Sequence, residues 1–136
     1  MSTTSGIVRR LAVSAAVSFI VFFIWIVTIA DKGESTPWWS FIERIPYGDK
    51  LGHLCLIGTM SFLCNLAIPS RKLWFATLTT FFLLLVLSLE ELSQAFIKTR
   101  HLDLFDWLAD LAGLGIGQLV AMKLPGFLKS RATTAL

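Results

Sequence analysis

The sequence predicts an all-α membrane protein of four transmembrane helices, both termini cytoplasmic, with a short interfacial helix between helices 1 and 2. Three observations predict it. Hydrophobic residues make up 55% of the 136 residues and charged residues 15%, against about 25% charged in a soluble domain. Mean hydropathy is +0.72. The basic residues stand in ones and twos between long uncharged runs, a pattern that marks membrane topology rather than a nucleic-acid surface. A soluble chain of this size cannot hide so much apolar surface, because small folds bury a smaller share of themselves. The expectation is a single transmembrane domain over residues 1–136, with the lipid bilayer as partner and no nucleic acid.

The first expected span is 11–30, uncharged from Leu11 to Ala30. About 20 apolar residues cross a ~30 Å hydrocarbon core. This run is longer than a signal-peptide core, carries bulky Phe22, Phe23 and Trp25, and has no small-x-small cleavage site behind it. It therefore reads as a retained helix. Thr36-Pro37 then supplies a capping residue and a proline suited to the first helical position. Trp38 and Trp39, beside Phe41 and Ile42, suit a short helix lying at the lipid–water boundary.

The second span is expected at 50–68, the third at 73–94 and the fourth at 103–122. A tight basic turn, Pro69-Ser70-Arg71-Lys72, separates the second from the third. Lys123-Leu124-Pro125-Gly126 is expected to close the fourth. Cys55 and Cys64 lie nine positions apart in one run and read as buried packing residues.

Charge fixes the orientation. Arg9, Arg10, Arg71, Lys72, Lys123, Lys129 and Arg131 fall on one side with no acid among them. Lys32, Arg44, Lys50, Lys98 and Arg100 fall on the other, together with all nine acids in or beside those segments. The positive-inside rule puts both termini in the cytoplasm.

Charge inside a span is costly and is a functional hypothesis by default. At a rise of ~1.5 Å per residue, His53, Glu91, Asp103, Asp106 and Asp110 all lie in the outer third of the membrane. Asp49 and His53 share a helix face, as do Glu91 and Gln94. Asp103, Asp106 and Asp110 form one stripe, which Gly113 and Gly117 continue inward as a GxxxG packing pair. Glu90 points about 100° from Glu91 and reads as secondary. Polar residues are thus expected near the outer face, over an apolar inner half. Gly58 is expected to tolerate a larger side chain better than Gly113 or Gly117.

The ordered set Asp49-Lys50-x-x-His53, Glu91-x-x-Gln94, Arg100-x-x-Asp103-x-x-Asp106 and Gly113-x-x-x-Gly117 resembles the VanZ-like family over roughly residues 46–120. The resemblance implies a small protein of the bacterial cytoplasmic membrane, related to one that gives low-level resistance to the glycopeptide teicoplanin. One position departs from the family pattern. Asp110 stands where the family commonly has asparagine, which adds a negative charge to the site.

Several functions follow as expectations. The first is binding or processing of an envelope component at the outer leaflet: a peptidoglycan or lipid-linked glycan intermediate, or a glycopeptide. Arg100, Lys98 and His53 would then engage phosphate or carboxylate. The second is a membrane-embedded enzyme using His53 with Glu91 or Asp106 for acid–base chemistry. No nucleophile motif or Gly-rich phosphate loop accompanies it. The third is a divalent-cation site drawn from Asp103, Asp106 and Glu91, with Asp49 and Asp110 near; no other cofactor is evident. The fourth is a structural assembly partner, in which Lys50, Lys98 and Arg100 only neutralise Asp49, Glu91 and Asp103 at the helix ends.

Overall fold

The structure is a computed structural model that describes residues 3–34, 40–42, 44–68, 71–73, 75–98 and 103–134, with side chains described within residues 6–124. Four long helices dominate: α1 (Thr3–Asp31), α2 (Gly48–Ala67), α3 (Leu78–Gln94) and α4 (Leu104–Thr134). Among the described residues, three segments are long and apolar enough to cross a membrane: Gly6–Asp31, Gly48–Ala67 and Leu104–Leu124.

Local chemistry explains the ends. After Asp31 the chain closes α1 with a Schellman motif. Gly33 adopts φ 69°, its N–H reaches Ala30 O, and the Glu34 N–H reaches Ile29 O. Glycine takes this left-handed conformation without a Cβ penalty. Residues 40–42 are helical; Thr36-Pro37-Trp38-Trp39, the basis for the interfacial helix, lies outside the described residues.

The third expected span starts later than its apolar run. Lys72–Leu73 (β1) and Ala76–Thr77 (β2) pair antiparallel, with Lys72 opposite Thr77 and Leu73 opposite Ala76. Thr77 then caps α3, its hydroxyl accepting from the Thr80 N–H at 3.1 Å, which fixes the first helical residue at Leu78 rather than 73. At 17 residues, α3 is roughly 25 Å long. The fourth helix is not closed at Lys123-Leu124-Pro125-Gly126. It runs on to Thr134, since the following Leu, Lys, Arg and Ala favour helix.

The core gathers where the four helices meet. Ala16 of α1, Ile57, Met60, Cys64 and Ala67 of α2, Leu83 and Leu87 of α3, and Leu114 of α4 are buried together. Cys64 belongs to this core, whereas Cys55 is exposed on the outside of α2, contrary to the expectation of burial for both. An apolar surface selects buried against lipid-facing positions weakly, so the run alone did not separate them.

The tightest contact is between α2 and α4. A Cβ built on Gly113 would lie 2.7 Å from Leu54 O and 2.9 Å from Gly58 N. One on Gly117 would lie 2.8 Å from Phe62 N and would overlap Gly58 O. Only glycine lets these backbones approach so closely. Gly58 lies in the same contact, 3.4 Å from Gly113 O when given a Cβ. Gly58 thus faces α4 as well, but with ordinary room for a Cβ, which agrees with the expectation that it tolerates a larger side chain better than Gly113 or Gly117.

Candidate functional site

Two helices bring the charged residues together at the end of the bundle where α2 and α4 begin. Lys50, in the first turn of α2, has Nζ at 2.8 Å from Asp49, 2.6 Å from Asp103 and 2.9 Å from Asp106. One ammonium thus touches three carboxylates. One turn deeper, His53 places Nδ1 3.0 Å from Asp110 Oδ1 and Nε2 4.0 Å from Asp106 Oδ2. Asp110 is buried, with a side chain 4% exposed, and His53 and Asp106 are largely covered. The i, i+3, i+7 stripe of aspartates on α4 meets Lys50 and His53 of α2 in register, because the glycine contact below draws the two helices together.

The start of α4 carries its own acid. Asp103 Oδ1 accepts from the Phe105 N–H at 2.8 Å and caps the helix, where a negative charge suits the dipole. Asp103 lies outside the span, and the Lys50 ammonium beside it holds its carboxyl below the usual range, helped by the Phe105 N–H.

Glu91 enters from α3. It is 4% exposed; one oxygen accepts from the Asp103 N–H at 3.1 Å and the other from Gln94 Nε2 at 3.1 Å. Gln94 also donates to both oxygens of Glu90, at 3.1 and 3.2 Å, so Glu90 is joined to the site rather than secondary to it. The two neighbouring acids reach one amide because Gln94 lies four residues from one and three from the other. Trp107 Nε1 donates to Ser88 Oγ at 3.1 Å, a further tie between α3 and α4. Arg100 lies outside the described residues, and Lys98 is exposed beyond the end of α3.

Asp49, Asp103 and Asp106 hold oxygens within 4.8 Å of one another, a donor set of the kind hard cations prefer. The Lys50 ammonium stands among them. Glu91, a candidate for the same metal, spends its described hydrogen bonds on Gln94 and the Asp103 N–H.

The half of the bundle away from this cluster is not purely apolar, and this corrects the expectation that polar groups gather near one face only. Asn65 donates to Thr80 Oγ1 at 3.0 Å and accepts from Thr77 Oγ1 at 2.5 Å. Ser61 donates to Leu114 O at 2.8 Å. Gln118 accepts from the Thr77 N–H at 2.9 Å and donates to Phe75 O at 3.2 Å. All these side-chain donors and acceptors are buried. Amides within apolar runs were the visible signal for Asn65 and Gln118. Buried hydroxyls such as Ser61 and Thr80 give none, since Ser and Thr also face lipid.

No family model matches the chain, and no curated protein or solved structure does.

Proposed function

We propose that this chain is a multi-pass protein of the bacterial cytoplasmic membrane, crossing four times with both termini cytoplasmic. In this reading its outer-end cluster binds or processes a cell-envelope component, a peptidoglycan or lipid-linked glycan intermediate. The observation that carries it is the gathering of five carboxylates with Lys50 and His53 at one end of an apolar bundle. Pinning a helix at an interface needs exposed charges only, and burying Asp110 and Glu91 is costly without a use. A VanZ-like role, including a contribution to glycopeptide resistance, is supported by the sequence pattern of residues 46–120.

The second reading is an acid–base enzyme, and the geometry of His53 favours it. A carboxylate on Nδ1 orients the ring and sets its tautomer. The other nitrogen is then turned toward Asp106, where a reacting group within hydrogen-bond reach exchanges a proton with it.

The test is recovery of ligand. Wild type, Asp106→Asn and the outlying Glu34→Gln are purified from native membranes, and co-purifying lipid-linked glycans are measured by mass spectrometry. Wild type and Glu34→Gln should retain the glycan, and Asp106→Asn should lose it at equal protein yield. Equal recovery from all three would remove the binding reading. Reporter fusions test the orientation: those after Arg71 and at the carboxyl end should report cytoplasm, and those near Glu34 and Thr99 the outside.

A further inference from the structure

We infer that the hairpin Lys72–Thr77 is buried in the inner leaflet against acyl chains and completes the third membrane crossing, which α3 alone is too short to make. This rests on the four-crossing reading. A helix of 17 residues reaches roughly 25 Å, short of a ~30 Å core. The missing length lies on the cytoplasmic side, because Glu91 and Gln94 at the other end of α3 are already level with the start of α4.

The depth of the hairpin is set by its partners. Gln118 holds both Phe75 O and the Thr77 N–H. It lies five residues before Lys123, the first charge after the apolar run of α4, so roughly 8 Å inside that charge. Asn65, bonded to Thr77 and Thr80, lies two residues before the end of α2, roughly 3 Å inside. Both helices therefore hold the hairpin within the span rather than below it.

Its composition suits lipid and not water. Phe75 lies between the paired strands, where a solvated hairpin turn calls for Asn, Asp or Gly. Leu73 and Phe75 are exposed at 51% and 69%, while the basic pair Arg71-Lys72 stands at its entry.

Non-helical backbone survives at membrane depth only where protein satisfies its polar groups. Here Gln118 supplies a donor to Phe75 O and an acceptor to the Thr77 N–H, the Leu78 N–H reaches Arg71 O, and the strands pair with each other. Gln118 is thus a positioning residue. Its amide lets a hairpin replace the first turns of a helix, and so sets the height at which Glu91 meets Asp103.

The test measures depth. Single spin labels are placed at positions 71, 73 and 75 of the full chain in liposomes, with Cys55→Ser and Cys64→Ala as background. Collision with oxygen, which concentrates in lipid, is compared with collision with a water-soluble nickel chelate. The labels at 73 and 75 should show an oxygen-to-nickel ratio several-fold above that at 71. In Gln118→Leu, which keeps the bulk and removes the amide, that ratio should fall toward the value at 71, and Gln118→Glu should restore part of it by keeping the acceptor for Thr77. Ratios in the wild-type background that are equal at all three positions would overturn the inference, whatever the variants do. Failure of the four-crossing reading is separate, because reporter fusions would then place Arg71 and the carboxyl end on opposite sides.

Discussion

His53 of α2 and Asp110 of α4 are joined by Nδ1···Oδ1 at 3.0 Å, a hydrogen bond 57 residues apart in sequence and one turn below Lys50. It ties together the same two helices that Gly58, Gly113 and Gly117 bring into backbone contact. The pair can be weighed by a double-mutant cycle of His53→Ala and Asp110→Ala. We predict a coupling of roughly 1 kcal/mol, the scale of hydrogen bonds between helices in a membrane, measured by unfolding in mixed micelles. Strict additivity would show that the two side chains do not hold each other.

Lys50 is the ammonium of the charged cluster where α2 and α4 begin. Lys50→Met leaves Asp49, Asp103 and Asp106 without the ammonium that touches all three. It should lower membrane abundance more than Asp49→Asn or Asp103→Asn does. Adding Asp106→Asn to Lys50→Met should recover part of the loss, since one repelling charge is removed. If the double variant is worse than Lys50→Met alone, charge balance is not what Lys50 provides.

The helical, apolar architecture was legible because lipid demands long uncharged runs, and three of them became segments long enough to span. The meeting of Lys50, His53, Asp106 and Asp110 was legible as helix faces, since three- and four-residue spacing puts side chains on one stripe. What escaped was anything set by contact between elements. The run beginning at Leu73 looked continuous with α3, because an apolar hairpin and an apolar helix read alike until Thr77 caps the helix. Gly58 carried no GxxxG partner of its own, and only the approach of α4 reveals its place. The link of Glu90 to Gln94 was hidden by the assumption that neighbouring helical residues face apart, which a long flexible amide overcomes.

Glycine substitutions separate the contact faces. A leucine at Gly113 or Gly117 should sharply reduce the folded fraction, and one at Gly58 should do so less. Gly115→Leu should be tolerated, because nothing lies within 4 Å of a Cβ there. Alanine gives the finer test. Gly58→Ala meets only ordinary contact at 3.4 Å, whereas Gly113→Ala meets backbone at 2.7 Å. Abundance of Gly58→Ala should therefore exceed that of Gly113→Ala. The reverse order would mean that α2 and α4 are packed in a different register.

The last prediction concerns pH. The Lys50 ammonium, with the Phe105 N–H, holds the Asp103 carboxyl below its ordinary value of 3.8. A carboxylate lowered in the folded state favours folding wherever it is ionised in both states. Its contribution is therefore fully present above the ordinary value and is lost as pH falls through the lowered one. Because Asp103 is solvent-accessible, the effect is small, as for other exposed ion pairs. Unfolding of wild type and Asp103→Asn should differ at neutral pH, with wild type the more stable, and the difference should persist down to pH 3.8. It should shrink only below that. A difference that vanishes well above pH 3.8 would mean that Lys50 does not hold Asp103 in its charged form, and that the capping hydrogen bond to Phe105 acts without the ion pair.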